Sequence, residues 1–238
     1  MKITRFKTLE STNQYLQNLL NEGIDIVDNI VVTDYQTSGK GQGKNVWESE
    51  DGKNLLFSIA LDMSFLKAEN QFLLTQIVSV TMINVLKKYL PEESLSIKWP
   101  NDIYFNDKKI AGILIKNEIR GMTMGTSIIG IGLNVNQTSF NEDLPNPISM
   151  KMITGNDFEL EELLSAISYQ LSAISCQLST VNSYTDKLYR YKQWAFYEHE
   201  GQVKEMMITG YDQFGRLILK EKNDREVVCD LKEISFKV

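Results

Sequence analysis

The residues most able to do chemistry in this chain lie in a glycine-rich run, QTSGKGQGKNVWES, which spans residues 36–49. Three glycines alternate with two cations and an amide, in the order Gly39, Lys40, Gly41, Gln42, Gly43 and Lys44. The backbone N–H groups of such a run, with lysine ammonium groups as counterions, can hold a phosphate or another anion. Composition by itself leaves a second interpretation open, in which the run is a mobile surface hairpin.

The run fits neither of the two common phosphate-binding patterns. A Walker sequence needs a glycine five residues before its Gly-Lys pair and Ser or Thr after it, but Ser38 and Asn45 stand there. The dinucleotide pattern fails because Lys44 occupies the place of its third glycine. Strands are predicted on both sides of the run, so no helix dipole would face the ligand. We therefore predict a loop that folds over a charged ligand.

A second cluster is the sequence KWPNDIYFNDKKIAGILIK, residues 98–116. Asn101 and Asp102 lie at a predicted strand end, and Gly112 lies inside the next apolar strand. A glycine inside a strand often marks the close approach of a ligand or of another backbone. A third element, GIGLNVN at 130–136, adds two glycines and two asparagines. The alternative interpretation is a twisted hairpin with a solvated charged turn.

The elements that must position these clusters follow from hydrophobic periodicity. Apolar residues at three- and four-residue spacing predict helices that begin near Ser11 and that span 70–89, 160–178 and 184–196. Apolar runs predict strands at 30–33, 54–61, 95–99, 102–105, 110–115 and 126–135. Short strands at 203–208, 216–220 and 226–229, separated by turns, predict a small β-barrel. We expect two domains, 1–198 and 199–238.

Composition narrows the class of protein. The chain has 238 residues and a formal net charge of −6, which argues against a dedicated nucleic-acid-binding protein. A single histidine, His199, excludes a multi-histidine metal site, and Cys176 and Cys229 suggest neither a disulfide framework nor a zinc site. With no signal peptide and no long apolar run, we expect a cytoplasmic protein that binds no membrane.

Taken together and in this order, the clusters resemble the biotin protein ligases. The resemblance covers nearly the whole chain, and the segment KWPND with the downstream KxAGIL is its most specific part. The matching segments are Ser11 to Asn13, Gln36 to Trp47, Lys98 to Leu114 and Gly130 to Asn136. The resemblance implies an α/β (α+β) catalytic domain of the class II synthetase and biotin ligase type. Its sheet would be mixed and largely antiparallel with packed helices, followed by an SH3-like C-terminal barrel.

The resemblance also implies a reaction in two steps. Biotin and ATP, with Mg²⁺, give biotinyl-5′-AMP, and a lysine of a biotin carboxyl carrier domain of a carboxylase such as acetyl-CoA carboxylase then takes the biotin. No enzyme nucleophile is needed, because catalysis consists of positioning and charge neutralisation. Some relatives carry an N-terminal DNA-binding domain, and Ser11 lies too near Met1 for one, so we expect no DNA binding. Both a monomer and a homodimer remain open.

Particular residues acquire roles from the resemblance. Lys109 would bridge the biotin carboxylate and the α-phosphate, with Lys40 and Asp102 as the other catalytic residues. The biotin and adenylate site would comprise Ser11, Thr12, Asn13, Gln36, Gly39, Lys40, Gly41, Gln42, Trp47, Lys109 and Gly112. The ATP site would add Asn101, Asp102, Lys44 and Asn134. No metal site formed by protein side chains alone is expected.

The chain departs from the family pattern in its glycine loop. The family has arginines at the positions of Lys40 and Gln42; lysine keeps the charge without the planar fork, and glutamine loses the charge. One hypothesis is that Lys44 supplies the missing charge, and the other is that the adenylate leaks more readily. The region 144–148 also lacks the aromatic residue that some relatives stack on adenine.

Two other functions compete with this interpretation. A lipoate-protein ligase of the same fold shares the adenylate chemistry, although the KWPND cluster favours biotin. An octanoyl transferase would need a cysteine nucleophile, for which Cys176 and Cys229 are poorly placed. A non-catalytic biotin or adenylate sensor is disfavoured by the presence of Lys109 and Asp102.

Overall fold

A computed structural model describes residues 1–43, 45–174 and 182–237. Lys44, Cys176 and the end of the helix predicted over 160–178 lie outside these residues. Within them, seven strands form the first sheet: β1 (Lys2–Leu9), β2 (Asn29–Gln36), β3 (Leu55–Asp62), β4 (Leu95–Lys98), β5 (Asp102–Phe105), β6 (Lys108–Arg120) and β7 (Thr123–Leu133). Their order is β1-β2-β3-β7-β6-β5-β4. Only the β1–β2 pair is parallel in this sheet, which confirms the predicted mixed, largely antiparallel arrangement.

Helices cover both faces of this sheet. They are α1 (Thr12–Asn21), α2 (Phe72–Leu86), α3 (Met150–Thr154), α4 (Leu160–Ser172) and α5 (Asn182–Asp186). On one face Leu16 of α1 packs with Val31, Ala60 and Ile128. On the other face α2 packs against β4 and β5 of the sheet and against helices α4 and α5, and α4 also contacts β3. These neighbours explain why α2 is apolar and buried nearly all round. None of the described helices is long and apolar enough to cross a membrane.

Strand alternation creates a hollow beside α1. Successive side chains of a strand point to opposite faces, and Ile129 and Ile131 of β7 join the core on the α2 side. The face next to α1 therefore receives Gly130 and Gly132, and Gly112 of β6 pairs with Gly132. Three glycines without side chains thus leave open space on one face of an otherwise packed sheet.

A second, antiparallel sheet follows: β8 (Trp194–His199), β9 (Gln202–Tyr211), β10 (Leu217–Glu221), β11 (Glu226–Cys229) and β12 (Ile234–Phe236), in the order β11-β10-β9-β8-β12. It confirms the predicted C-terminal β-domain. The sheet begins at Trp194, and the division at residue 198 stays a prediction. The indole Nε1 of Trp99 donates a 2.8 Å hydrogen bond to the carbonyl of Gly215, which ties this domain to the first one.

The helix predicted over 184–196 is wrong. Only Asn182–Asp186 is helical, and the left-handed φ angles of Arg190 and Lys192, 61° and 56°, exclude a helix that continues through those residues. Leu188 and Tyr189 instead lie along the edge of β4: Leu188 forms a β-bridge with Ile97, and the Tyr189 N–H donates to the carbonyl of Ile97 at 2.8 Å. The apolar residues of this segment are spaced as in a helix because a segment without regular structure is buried against the edge of a strand.

Candidate functional site

One cavity of about 300 Å³ lies on the α1 face of the first sheet. It brings together most of the residues predicted from the sequence: Ser11, Thr12, Asn13, Gln36, Lys40, Gly41, Gln42, Trp47, Asn101, Asp102, Lys109 and Gly112. Gly39 and Asn134 do not line it, and Lys44 lies outside the described residues. Motifs that are far apart in sequence, from Ser11 to Gly132, therefore share one concave surface.

The glycine run forms a hairpin loop between β2 and β3, as predicted for a strand-to-strand connection. The N–H of Trp47 donates to the carbonyl of Gly39 at 2.9 Å, and the N–H of Gly41 donates to that of Asn45 at 2.8 Å. A Cβ atom at Gly39 would lie 2.3 Å from the Trp47 carbonyl oxygen. Gly39 therefore allows the two arms of the loop to meet, while Lys40 anchors the loop on α1 through a 2.9 Å hydrogen bond to Gln14.

The indole of Trp47 lies against Gly112 and Gly132, which form the floor of the cavity. A Cβ atom would come within 2.4 Å of the ring at Gly132 and within 2.9 Å at Gly112, so side chains there would displace it. The ammonium of Lys109 lies 5.5 Å from the ring centroid, within range of a cation–π contact. The indole Nε1 is buried and has no partner in the described part of the chain. A buried donor of this kind calls for a ligand or water acceptor.

A hydrogen-bond network forms the inner end of the cavity. The side-chain oxygen of Gln36 accepts from the Thr12 N–H at 2.9 Å and from the Thr12 hydroxyl at 3.3 Å. The Thr12 hydroxyl also lies 2.8 Å from the Ser58 hydroxyl. Because Thr12 is buried at the start of α1, this network fixes the helix end against β2 and β3.

The start of α1 adds two further polar side chains. Ser11 caps the helix, its hydroxyl oxygen accepting from the Gln14 N–H at 3.4 Å. The amide nitrogen of Asn13 donates to the carbonyl of Leu114 at 3.0 Å, and Asn13 is 4% exposed. Its side-chain oxygen is buried without a partner among the described residues. Asn13 lines the cavity, so this oxygen is an acceptor without a partner in the cavity wall.

A charged pair lies at the opposite end. The ammonium of Lys109 is 2.8 Å from a carboxylate oxygen of Asp102, and both side chains are partly buried. The neighbouring Asn101 donates its amide N–H to the carbonyl of Ile113, which holds the turn before β5 against β6. Within the described residues, Asp102 is the one carboxylate that lines the cavity. Lys109 and Asp102 therefore present a cation and an anion side by side in the wall of the cavity.

Lys98 is a cavity residue that the sequence interpretation missed. Its ammonium donates to the Tyr104 hydroxyl at 3.1 Å and lies 5.2 Å from the Tyr104 and Phe236 ring centroids. Burial lowers the pKa of Lys98, an effect that nearby Asp102 opposes and Arg190 reinforces. Lys98 is the first residue of the KWPND motif, so the motif could have indicated it. The sequence interpretation instead assigned roles to Asn101 and Asp102, which follow the strand break at Pro100.

A second cavity of about 360 Å³ adjoins the first and shares Trp47 and Lys109 with it. Asn134 lines this cavity, and its amide nitrogen donates to the carbonyl of Ile148 at 3.1 Å. Phe140 also lines it. The region 144–148 has no aromatic residue, but Phe140 lies four residues before it and supplies an aromatic side chain to this cavity. Lys109 thus lies where two cavities meet.

No group of three or more His, Cys, Asp or Glu side chains suited to a metal ion is found in residues 1–43, 45–174 and 182–237. Asp102 alone supplies a carboxylate to the first cavity in that part of the chain. A magnesium ion commonly keeps several waters and binds through one or two carboxylates and substrate phosphates. The donor set therefore suits a metal ion that arrives bound to a nucleotide.

Comparison with known proteins assigns the matching part of the chain to one family. The model of the biotin/lipoate A/B protein ligase family matches residues 5–134. Biotin–protein ligase 2 of Arabidopsis thaliana is 30% identical over 213 residues, which cover 87% of this chain and 59% of that protein. Biotin–protein ligase 1, chloroplastic, of the same plant is 34% identical over 149 residues, covering 60% of this chain and 40% of that protein. The chain thus spans about half the length of these curated relatives.

A solved structure shares the architecture over almost the entire chain. The biotin protein ligase from Aquifex aeolicus, in complex with biotin and ATP, superposes with a TM-score of 0.79 and covers 99% of this chain and 98% of its own. The sequence identity is 23%. At 23% identity, this similarity establishes the fold of both sheets. It does not establish the substrate or the partner, which must be inferred from the cavities.

Proposed function

The chain belongs to the biotin/lipoate A/B protein ligase family, and from that membership we propose that it activates biotin with ATP as biotinyl-5′-AMP and transfers it to a lysine of a biotin carboxyl carrier domain. The observation that carries the proposal is the position of Lys109, paired with Asp102 at 2.8 Å, on the boundary of two adjoining cavities. An adenylating enzyme needs a cation where an acyl carboxylate and an α-phosphate meet.

The first cavity takes the biotin. The free side-chain oxygen of Asn13 accepts from a ureido N–H, and the network of Thr12 and Gln36 holds the surrounding wall rigid. The bicyclic ring lies between α1 and the indole of Trp47, which itself occupies the floor made by Gly112. The valeryl chain then directs its carboxylate towards Lys109.

The second cavity takes the nucleoside. Phe140 offers an aromatic face for a purine, and Asn134 is held beside it by its bond to Ile148. The α-phosphate reaches Lys109 at the boundary, so the carboxylate oxygen attacks phosphorus with pyrophosphate as the leaving group. Holding two reactants in line is worth roughly 7–11 kcal/mol of the barrier.

Magnesium enters as part of the nucleotide. One carboxylate, Asp102, lines the first cavity in the described part of the chain, which suits an ion whose remaining ligands are phosphate oxygens and water. When bound, the ion neutralises phosphate charge. In the second step Asp102 orients the incoming neutral lysine amine of the carrier domain. Its nitrogen forms a bond to the acyl carbon, the bond from that carbon to the phosphate oxygen breaks to release AMP, and the amine proton passes to solvent.

A labelling assay tests the proposal. The protein is incubated with ATP, Mg²⁺, biotin and a biotin carboxyl carrier domain, and the mass of the carrier domain is measured by mass spectrometry. We expect one added biotin on one lysine, and none when ATP is omitted. Parallel reactions with lipoate and a lipoyl domain test the alternative ligase: labelling there, without labelling of the biotin carrier, would overturn the proposal. Adenylate formation without any transfer would identify a sensor.

A further inference from the structure

The C-terminal domain completes the wall of the first cavity. Residues of the segment that leads into β12 line it, namely Leu231, Lys232, Ile234, Ser235 and Phe236. A Cβ atom built at Gly43 would lie 2.9 Å from Cε and 3.0 Å from Nζ of Lys232. The Lys232 ammonium therefore rests against the backbone of the glycine loop, at a position that neither the motifs nor the periodicity of the sequence indicated.

The charges around this cavity are strongly unbalanced. In the described residues, one carboxylate lines it, together with four lysines: Lys40, Lys98, Lys109 and Lys232. The first three already have a polar partner, namely Gln14, Tyr104 and Asp102 respectively. Lys232 has no hydrogen bond or ion pair to another described residue. A cationic cavity in a chain of net charge −6 favours an anionic ligand, and Lys232 is the lysine left to bind it.

Lys232 is one of eight non-glycine residues with a positive φ angle in the described part of the chain. Its φ angle is 76°, in the left-handed region that suits glycine and strains other residues. Non-glycine residues in such conformations cluster at functional sites. Of these eight residues, Lys232 is the one that lines the first cavity.

We propose that Lys232 binds the β- and γ-phosphates of the nucleotide, so that the C-terminal domain supplies a cation to the active site. This inference rests on the proposed function, in which the base occupies the second cavity and the α-phosphate lies at Lys109. The remaining phosphates then extend into the first cavity, between the glycine loop and Lys232. Gln42 in that loop carries no charge, and Lys232 supplies one from the opposite wall.

The informative variant is Lys232→Gly. It removes the ammonium and places at φ 76° the residue that adopts this angle without strain, so the fold is preserved. Loss of one charge-assisted phosphate contact predicts a KM for ATP about 10-fold higher. The KM for biotin stays within about twofold, and calorimetry shows a Kd for magnesium pyrophosphate raised about 10-fold, because those phosphates are the ones bound. AMP binds as to the wild type.

Two further variants separate charge from structure. Lys192→Gly makes the same change at another lysine of positive φ, 56°, which lines neither cavity. We expect this variant to keep the wild-type KM for ATP, KM for biotin and Kd for magnesium pyrophosphate. Lys232→Arg keeps the charge and retains ATP affinity.

Several outcomes overturn the inference. Unchanged ATP and pyrophosphate affinity in Lys232→Gly would remove Lys232 from the site, and an equal loss of biotin affinity would assign it a structural role. The pyrophosphate titration needs no turnover, and therefore tests Lys232 separately from the reaction. A wild-type protein that binds pyrophosphate but forms no adenylate would instead contradict the proposed function.

Discussion

At the scale of single residues, the ammonium of Lys109 carries the proposed chemistry. We predict that Lys109→Ala lowers the rate of biotin adenylation at least about 100-fold, because one preorganised charge at a developing oxyanion contributes roughly 3–4 kcal/mol. Asp102 also loses its partner in this variant. Release of pyrophosphate, measured in single turnover, gives the rate.

The adjacent lysine provides the control for this variant. Lys108 is exposed and lines neither cavity, so Lys108→Ala should adenylate biotin at the wild-type rate. If Lys109→Ala also adenylated biotin at the wild-type rate, Lys109 would not lie where the biotin carboxylate reacts with the α-phosphate.

Gln42 sets a second prediction at this scale. A guanidinium at this position in the cavity wall would add charge-assisted hydrogen bonds to the adenylate phosphate. We expect Gln42→Arg to slow release of biotinyl-5′-AMP about 10-fold, seen as less biotin on bystander proteins in a mixed lysate. If Lys44 already supplies this charge, Gln42→Arg changes little and Lys44→Ala increases bystander labelling, so the two variants decide between the hypotheses.

The residues predicted from the sequence are those that stand inside recognisable motifs. Lys109 and Asp102 follow from the KWPND cluster, and the structure brings them together at one cavity. Phe140 and Lys232 reach the cavities only because distant segments fold next to each other, and no local pattern marks them. Side-chain roles that depend on such long-range packing are invisible in periodicity or spacing.

At the scale of elements, the alternation of β7 makes the site. Gly132→Ala would place a Cβ atom 2.4 Å from the Trp47 indole, so the ring must leave the floor of the cavity. Overpacking of this kind costs roughly 1–3 kcal/mol, and we expect the Kd for biotin, measured by calorimetry, to rise at least about 10-fold.

The matched control for this change is Gly210→Ala. Gly210 also lies in a strand, β9, but its φ is not positive, and a Cβ atom added there would meet no heavy atom within 4 Å. We therefore expect Gly210→Ala to bind biotin with the wild-type Kd. Equal effects of the two variants would mean that a general loss of strand stability, and not the indole, governs binding.

The elements divide into those the sequence predicts and those it does not. Buried strands such as β3 and β7 carry long apolar runs, and the sequence predicts them to within a few residues. The strand β1 lies at the edge of the sheet and is mostly exposed, so its sequence has no apolar run and it is not predicted. The sequence predicts the start of β8 as the end of a helix, since burial of Leu188 and Tyr191 against other strands mimics helical spacing.

At the scale of the whole molecule, the two sheets act as one unit around the cavity. The sequence suggests a separate C-terminal barrel, yet its segment 231–236 lines the site. Gly215 is one point of attachment: it accepts the hydrogen bond from Trp99 and lies against the ring of Phe72. Edge contacts with Tyr184 and Tyr211 hold that ring in place. Displacing this joint should therefore impair catalysis from outside the cavity.

Gly215→Ala tests this coupling, with Gly201→Ala as its control. Both glycines have positive φ, 85° and 72°, so both alanines introduce backbone strain on the order of 1–2 kcal/mol. Only at Gly215 would the new Cβ meet another group, the Phe72 ring at 2.3 Å, which adds roughly 1–3 kcal/mol of overpacking. Urea unfolding should show the larger loss for Gly215→Ala, and its KM for ATP should rise because the wall that carries Lys232 shifts. Equal stability and unaltered ATP binding in both variants would mean that the C-terminal domain takes no part in the site.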